Sequence, residues 1–257
     1  MIVLLTDFGN SDPYVGIMKG VMRSLHPTVE IVDLTHEVPP QNISIAAFIL
    51  QKSYSYFPCN TIFVIVVDPG VGTARKPVAI YQDGYYFVGP DNGCFAFLDK
   101  PESIVELNRS AYFRVAKPDA TFHGRDIFSP VAAHIANGLP LKDLGESQHT
   151  LQNLRESQWQ QNGNTITLPH LHTDHFGNLI YRFSQEDWQR VVGDRNYRIE
   201  IAGEKISELS PHYQIQQPLL AIFNSYHLFE IARPNGSAVA YLQEKGCDKL
   251  EVTIHLS

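Results

Sequence analysis

The sequence predicts an α/β N-terminal domain followed by an all-β, barrel-like C-terminal domain. Over residues 1–150, continuous apolar runs alternate with segments of helical periodicity, and such runs are typical of strands that helices cover on both faces. Over residues 165–257, short β-rich segments follow one another with turn residues between them. A stretch rich in Gln and Asn separates the two parts and predicts a linker over residues 151–164.

The elements of the N-terminal domain follow from local patterns in chain order. The run TIFVIVVDPG is almost wholly apolar and predicts a buried strand, and Asp83 with Gly84 marks the turn of a hairpin. Gly138 and Pro140 end the last helical segment. We expect a mostly parallel or mixed sheet with flanking helices, built from strands at 1–7, 30–34 and 61–67, a hairpin within 78–93, and helices at 14–25, 43–54 and 127–137.

Beyond the linker, the pattern indicates strands without intervening helices. Regularly spaced short strands of this kind predict a small β barrel or a sandwich. The segments are TITLPHLHTD, NLIYRFS, YRIEIAG, LLAIFNS, FEIAR, SAVAYL and KLEVTIHLS.

Composition excludes several classes of protein. The 257 residues carry a net charge of −7, which argues against a dedicated nucleic-acid binder because that class needs a basic surface. No apolar run approaches the roughly 20 residues of a membrane span, and the sequence starts directly with a strand-like segment instead of a secretory signal. The three cysteines are odd in number and far apart, so we expect a reducing, cytoplasmic environment.

Aspartates lie at or next to the carboxyl ends of three predicted strands, at Asp7, Asp33 and Asp68. Ligands of open α/β sheets bind outside the carboxyl ends of the strands, where a carboxylate can accept two hydrogen bonds from a ribose diol. The alternative for each aspartate is a loop cap on the surface. The loop DPGVGTARK adds Arg75, and the segment TFHGRDIF adds His123, although a histidine taken alone is more often a hydrogen-bonded structural residue.

The segment HLHTDH has the spacing of a zinc-ligand motif, with His170 and His172 on one face of a strand. The context argues against zinc, because the further ligands that such a fold requires downstream are missing from the remaining chain. The adjoining DHFGNLIY offers an aromatic ring at Phe176 and an amide at Asn178, which suit stacking on a purine and hydrogen bonding to it.

Taken together, seven segments in order resemble the S-adenosyl-L-methionine hydroxide adenosyltransferases, also called (R)-S-adenosylmethionine hydrolases, which are relatives of the fluorinase and chlorinase. The resemblance covers nearly the whole chain. It implies an α/β domain and a β-barrel domain, a homotrimer, and a ligand held between the N-terminal domain of one subunit and the C-terminal domain of its neighbour. The segments are LLTDFGNSDPYVGIMKGV, VDLTHEVPPQ, FVIVVDPGVGTAR, YFVGPDNG, FHGRDIFSPVAAHIANG, HTDHFGNL and FNSYHLFEIARPNGSA.

The resemblance also implies roles for individual residues. Asp68, Arg75 and His123 match the water-activating triad, and Asp7 matches the carboxylate that binds the ribose hydroxyls. On the C-terminal side the implied substrate-binding residues are Asp174 at the methionine ammonium, Phe176 and Asn178 at the adenine, Ser225 at the methionine carboxylate, and Glu230 and Ala238 on the adenine side. The chain departs from the family at Tyr226 and His227, where the family often has small residues.

The resemblance implies cleavage of S-adenosyl-L-methionine to adenosine and L-methionine, by water that attacks C5′ without a metal or an organic cofactor. The halogenating relatives lack the aspartate at the position of Asp68, and this carboxylate would repel a halide, so hydrolysis is favoured over halogenation. His123 is the expected final acceptor of the proton from water. The remaining alternative is a protein that binds S-adenosylmethionine or adenosine without catalysis, which would not need the triad.

Overall fold

The computed structural model describes residues 1–154, 157–214 and 216–257. The chain divides into two compact units, Met1–Arg155 and Glu156–Ser257. The predicted domain bounds and the linker over 151–164 stay predictions, and residues 155 and 156 of that linker lie outside the described residues.

The first unit contains one mixed sheet of seven strands in the order β2-β1-β3-β5-β4-β6-β7. Strands β2, β1, β3 and β5 are parallel, whereas β4, β6 and β7 pair antiparallel. The prediction of a mixed sheet is therefore confirmed. The strands are β1 (Ile2–Thr6), β2 (Ile31–Thr35), β3 (Ile62–Val66), β4 (Pro77–Gln82), β5 (Tyr85–Pro90), β6 (Ser103–Leu107) and β7 (Gly145–Gln148).

Three α-helices accompany this sheet: α1 (Tyr14–Leu25), α2 (Ile43–Ser53) and α3 (Ser129–Ala136). The side chains of Met18 and Met22 on α1 are fully buried and join strands β1 and β3 in one hydrophobic core. Asn42 caps α2 by accepting a hydrogen bond from the Ile45 amide at 3.0 Å. The Asp-Gly hairpin between β4 and β5 has positive φ at both turn residues, as this dipeptide predicts.

The third helix differs from the sequence-based expectation at its start. A π-helical turn over Gly124–Phe128 precedes α3, whereas apolar spacing predicts a helix over 127–137. The Ser129 hydroxyl donates to the Gly124 carbonyl at 2.7 Å inside this turn. Apolar periodicity does not distinguish one widened turn from regular helix, which is why the pattern missed it.

The second unit contains two antiparallel sheets, with strand orders β10-β11-β15-β14 and β13-β12-β16-β9-β8. The prediction of an all-β domain holds in outline, but the barrel is wrong, because the strands described here form two separate sheets that do not close. Side chains of both sheets contribute to one hydrophobic core. The strands are β8 (Gln160–Asn162), β9 (Thr165–Leu168), β10 (His170–Thr173), β11 (Leu179–Ser184), β12 (Tyr197–Ile201), β13 (Glu204–Ile206), β14 (Leu220–Phe223), β15 (Leu228–Ala232) and β16 (Val252–Leu256).

Two short helices, α4 (Gln185–Val191) and α5 (Ala238–Glu244), interrupt these strands. The segment SAVAYL predicts a strand but forms α5, because the Ser237 side chain accepts from the Ala240 amide at 3.1 Å and caps a helix. Ser184 and Asp187 form a capping box at α4 in the same way. Across the described ranges, no helix has the length and apolar character needed to cross a membrane.

Candidate active site

The carboxyl ends of β1 and β3 bring the first two predicted site residues to one edge of the sheet. The two strands are parallel neighbours with Thr6 opposite Val66, so Asp7 and Asp68 follow them on the same side. A cleft of about 410 Å³ opens there, and Asp7, Asp68 and His123 all line it. The N-terminal unit therefore brings together the predicted ribose-binding carboxylate and two members of the predicted triad.

Arg75 connects the triad. Its Nε donates to Asp68 Oδ1 at 3.1 Å, and its Nη2 donates both to Asp68 Oδ2 and to His123 Nδ1, the latter at 3.0 Å. The Arg75 and Asp68 side chains are 6% and 5% exposed, so this bidentate ion pair is shielded from solvent. Arg75 is thus in direct contact with both other residues of the predicted triad.

The hydrogen bond from Arg75 fixes the tautomer of His123. A guanidinium can only donate, so Nδ1 of the ring accepts, and the proton of the neutral imidazole is on Nε2. Burial, and then the positive charge of Arg75, lower the pKa of His123, which favours this neutral form. His123 is accordingly a donor through Nε2–H while Arg75 occupies Nδ1.

The pKa of Asp68 shifts in the opposite direction, upwards. Burial raises the pKa of its carboxyl, and the charge and hydrogen bonds of Arg75 offset only part of this effect. A carboxylate whose proton affinity is raised is a better base than one on the surface.

A tight loop joins Asp68 to Arg75. Within it the Thr73 hydroxyl donates to the Gly70 carbonyl at 2.7 Å and accepts from the Arg75 amide at 3.3 Å. Gly72 has a φ of +75°, and a Cβ at this position would lie 2.3 Å from the Ala120 carbonyl oxygen. This close approach packs the loop against the segment that leads to His123.

Three aromatic rings beside Asp7 line the same cleft: Phe8, Tyr14 and Phe122, which we call the aromatic wall. Their ring centroids lie 5.4–5.8 Å apart, with tilted or edge-to-face geometry. Asp7 itself accepts a hydrogen bond from the Gln41 amide at 2.7 Å. No sequence motif predicts this wall, although two of its rings adjoin predicted site residues, in DFG and in TFHGRD.

In the C-terminal unit, Asp174, Phe176 and Asn178 form one turn. Asp174 Oδ1 accepts from the amides of Phe176 and Asn178 at 2.9 and 2.8 Å, and Oδ2 accepts from the Asn178 side chain at 3.0 Å. Gly177 has a φ of +83°, and its carbonyl accepts from the Val239 amide at 3.1 Å, next to the predicted residue Ala238. The Phe176 ring is 73% exposed.

Glu230 lies on β15 and is 2% exposed. Its two oxygens accept from the Tyr213 hydroxyl at 3.0 Å and from the Asn224 side chain at 3.1 Å. Burial raises the pKa of Glu230, and burial together with this carboxylate raises the pKa of Tyr213 to about 12. Sequence reasoning missed Tyr213, whose segment carries no motif, and Asn224, which directly precedes the exposed Ser225.

The HLHTDH segment does not assemble a ligand set. His170 Nε2 lies 3.0 Å from the Thr173 hydroxyl, and burial lowers the pKa of both His170 and His172. Of the residues described here, no three or more His, Cys, Asp or Glu side chains converge as metal ligands would.

Comparisons with known proteins identify the family of the chain. Residues 2–145 match the SAM hydroxide adenosyltransferase N-terminal domain, and residues 171–251 match the C-terminal domain of the same family. An (R)-S-adenosyl-L-methionine hydrolase of Thermus thermophilus is 36% identical over 251 residues, which are 92% of this chain and 93% of the relative.

Two further proteins are similar to this chain. A fluorinase of an Actinoplanes species is 25% identical over 220 residues, 74% of each chain. The crystal structure of an uncharacterized conserved protein from Thermotoga maritima superposes with a TM-score of 0.87 at 32% identity, covering 99% of this chain and 100% of the other. With both domains matched in order and a relative of 36% identity along nearly its full length, the chain belongs to the SAM hydroxide adenosyltransferase family.

Proposed function

We propose that this protein is a hydrolase that cleaves S-adenosyl-L-methionine to adenosine and L-methionine, with the R sulfonium epimer as the form named for its relatives. The observation that carries the proposal is the Arg75-linked pair of Asp68 and His123 in one cleft with Asp7. A family relative named as such a hydrolase supports the reaction class.

The chemistry needs an activated nucleophile more than a leaving-group catalyst, because a sulfonium departs as a neutral thioether. Water attacks C5′, the C5′–O bond forms, and the electron pair of the C5′–S bond passes to sulfur. The proton of the water goes to Asp68, whose raised pKa suits a base. His123 donates its Nε2–H to the oxygen of that water and so orients it.

This assignment differs from the expectation that His123 takes the proton. With Arg75 donating to Nδ1, a second proton on the ring would face both the guanidinium and the cost of burial. Asp68 carries a negative charge that a proton neutralises. Holding water, base and C5′ in line supplies orientation, which alone is worth about 7 kcal/mol or more of barrier in well-aligned systems.

The site supports neither of the two alternatives, which are a halogenase and a binding protein without catalysis. A halogenase would place a halide where the Asp68 carboxylate lies, and the two anions would repel each other. A binding protein without catalysis has no use for a buried Asp-Arg-His arrangement, which costs desolvation free energy. Hydrolysis uses all three groups.

We propose that residues of the C-terminal unit bind the methionine and adenine parts of the substrate. Asp174 faces the methionine ammonium, Ser225 holds its carboxylate, and Phe176 and Asn178 contact the adenine. Glu230 holds Tyr213 and Asn224 and thereby shapes the adenine side, together with Ala238. The protein is proposed to act in the cytoplasm as a homotrimer with each site between two subunits, without metal or organic cofactor.

Incubation with S-adenosyl-L-methionine in ¹⁸O-labelled water tests the function. Chromatography with mass spectrometry should find adenosine labelled in its 5′-hydroxyl and methionine without label. A chirally deuterated C5′ should show inversion, because one direct displacement inverts once. The Asp68→Asn variant is the control for spontaneous breakdown. Adenine or homocysteine as the product, or label in methionine, would replace this proposal with another reaction.

A further inference from the structure

Asp126 is a charged side chain that the proposed mechanism does not use. It lies three residues after His123, inside the π-helical turn Gly124–Phe128, and it has no exposed surface. A buried charge of this kind is costly unless all its hydrogen bonds are satisfied. Widened helical turns of this type are frequent at functional sites.

Four N–H groups converge on the Asp126 carboxylate. Oδ1 accepts from Arg114 Nε at 2.6 Å and from Arg125 Nε at 2.8 Å. Oδ2 accepts from Arg125 Nη2 at 2.8 Å and from the Asp119 amide at 2.9 Å. Burial alone would raise the pKa of Asp126. The hydrogen bonds outweigh burial and hold this pKa well below its usual range.

The same carboxylate therefore ties down the segment that precedes His123. The Arg114 amide also donates to the Asp126 carbonyl at 3.0 Å, and the Asp126 amide donates to the Phe122 carbonyl at 3.1 Å. The Arg125 guanidinium lies over the Phe122 ring, 5.2 Å from its centroid. Phe122, which precedes His123 in the cleft wall, is thus held both by Asp126 and by its partner Arg125.

We propose that Asp126 is a positioning residue for His123, holding residues 114–122 and Arg125 so that the His123 ring meets Arg75 and the cleft. The part of this inference that concerns turnover rests on the proposed hydrolysis. The placement and titration of His123 can be tested without any substrate.

The titration of His123 and its ring ¹⁵N shifts are two separate readouts: the titration reports the charges around the ring, and the ¹⁵N shifts report the Nε2–H tautomer that Arg75 sets. Arg75 lowers the His123 pKa, whereas Asp68, Asp126 and Asp119 raise it. The Asp126→Asn substitution removes one of the raising charges and offers one acceptor oxygen to four donors. The Arg114→Gln substitution removes a cation beside Asp126 and leaves the other three bonds in place. The two changes should shift the His123 pKa in opposite directions.

The experiment measures the His123 titration by NMR in the unliganded protein, with His123→Ala for assignment, and then turnover. Asp126→Asn should lower the His123 pKa and reduce kcat by about 10²-fold, the effect of a displacement near 1 Å, while KM stays near the wild-type value. Arg114→Gln should raise the pKa and cause a smaller loss of kcat. Because Arg114 is 41% exposed, this variant keeps the test valid if Asp126→Asn fails to fold.

Asp187→Asn is the matched control, since Asp187 accepts from Ser184 at 2.8 and 3.1 Å in the other unit. It should leave the His123 pKa and kcat unchanged. Wild-type titration and wild-type kcat in Asp126→Asn or, if that variant fails to fold, in Arg114→Gln, would overturn the proposal. If the wild-type protein does not hydrolyse the substrate but Asp126→Asn loses the Nε2–H tautomer that Arg75 sets, as seen in the ring ¹⁵N shifts, the proposed function fails and the positioning role stands.

Discussion

Replacing Asp68 and Arg75 singly and together separates stability from catalysis. Both side chains are more than nine-tenths buried and paired, so Asp68→Leu leaves an unpaired guanidinium and Arg75→Met leaves an unpaired carboxylate. Each single change should cost about 3–5 kcal/mol of the free energy of unfolding of the N-terminal unit. The double variant replaces the pair with apolar groups and should recover part of that loss. It still lacks the hydrogen bond from the charged guanidinium to His123, worth about 1.5–3 kcal/mol, and the contact of Arg75 with the Phe128 ring.

Turnover, unlike stability, should not recover in the double variant. The double variant regains stability but has neither base nor guanidinium, so it should stay at least about 10²-fold slower than wild type, like both single variants. Adenosine formation followed by chromatography measures this rate.

The stability assay must report the N-terminal unit. The protein has two tryptophans, Trp159 and Trp188, and both lie in the second unit, so tryptophan fluorescence is unsuitable. Hydrogen–deuterium exchange of β1 and β3 peptides in urea is the appropriate measurement. Recovery of turnover in the double variant would refute the catalytic role of the pair, and equal stability of all four proteins would refute the energetic argument.

Three further predictions concern the site. The kcat/KM should fall as pH decreases through the raised pKa of Asp68 and the lowered pKa of His123, because catalysis needs the first ionised and the second neutral; a pH-rate profile checks this, and a rate that rises towards acid would contradict it. Gly177→Ala should weaken adenosine binding in calorimetry, because its Cβ would lie 2.1 Å from the Ser237 hydroxyl, whereas Gly163→Ala, with open space, should not. Prolonged EDTA treatment should leave turnover unchanged, and recovery with zinc after loss would establish a metal site.

The sequence predicted the regular parts of the molecule well. Helix α1 spans the predicted residues, and the Asp-Gly turn forms the predicted hairpin, because both depend on local apolar spacing and turn chemistry. The sequence could not decide between a closed barrel and two separate sheets in the C-terminal unit, since closure depends on pairing between strands distant in sequence. Helix α5 was missed because its apolar residues fit either period, and only the Ser237 cap decides.

The candidate site, like the fold, could be predicted only in part from the sequence. Motif residues at strand ends, Asp7 and Asp68, could be placed near one another from the sequence alone. The tautomer of His123 could not, because it depends on one hydrogen bond from a residue 48 positions away. Tyr213 was also unpredictable, since its role arises from contact with Glu230 across the fold.

The turn over residues 174–178 and the start of α5 are joined by the Gly177–Val239 hydrogen bond and by close packing of Gly177 on Ser237. Segments about 60 residues apart therefore form one rigid backbone surface before any ligand arrives. A nucleoside that binds there meets a preorganised site and does not have to order a loop, so less of the contact free energy is lost to conformational entropy. Affinity for the adenine end should then depend on the Phe176 ring and its desolvation more than on backbone rearrangement.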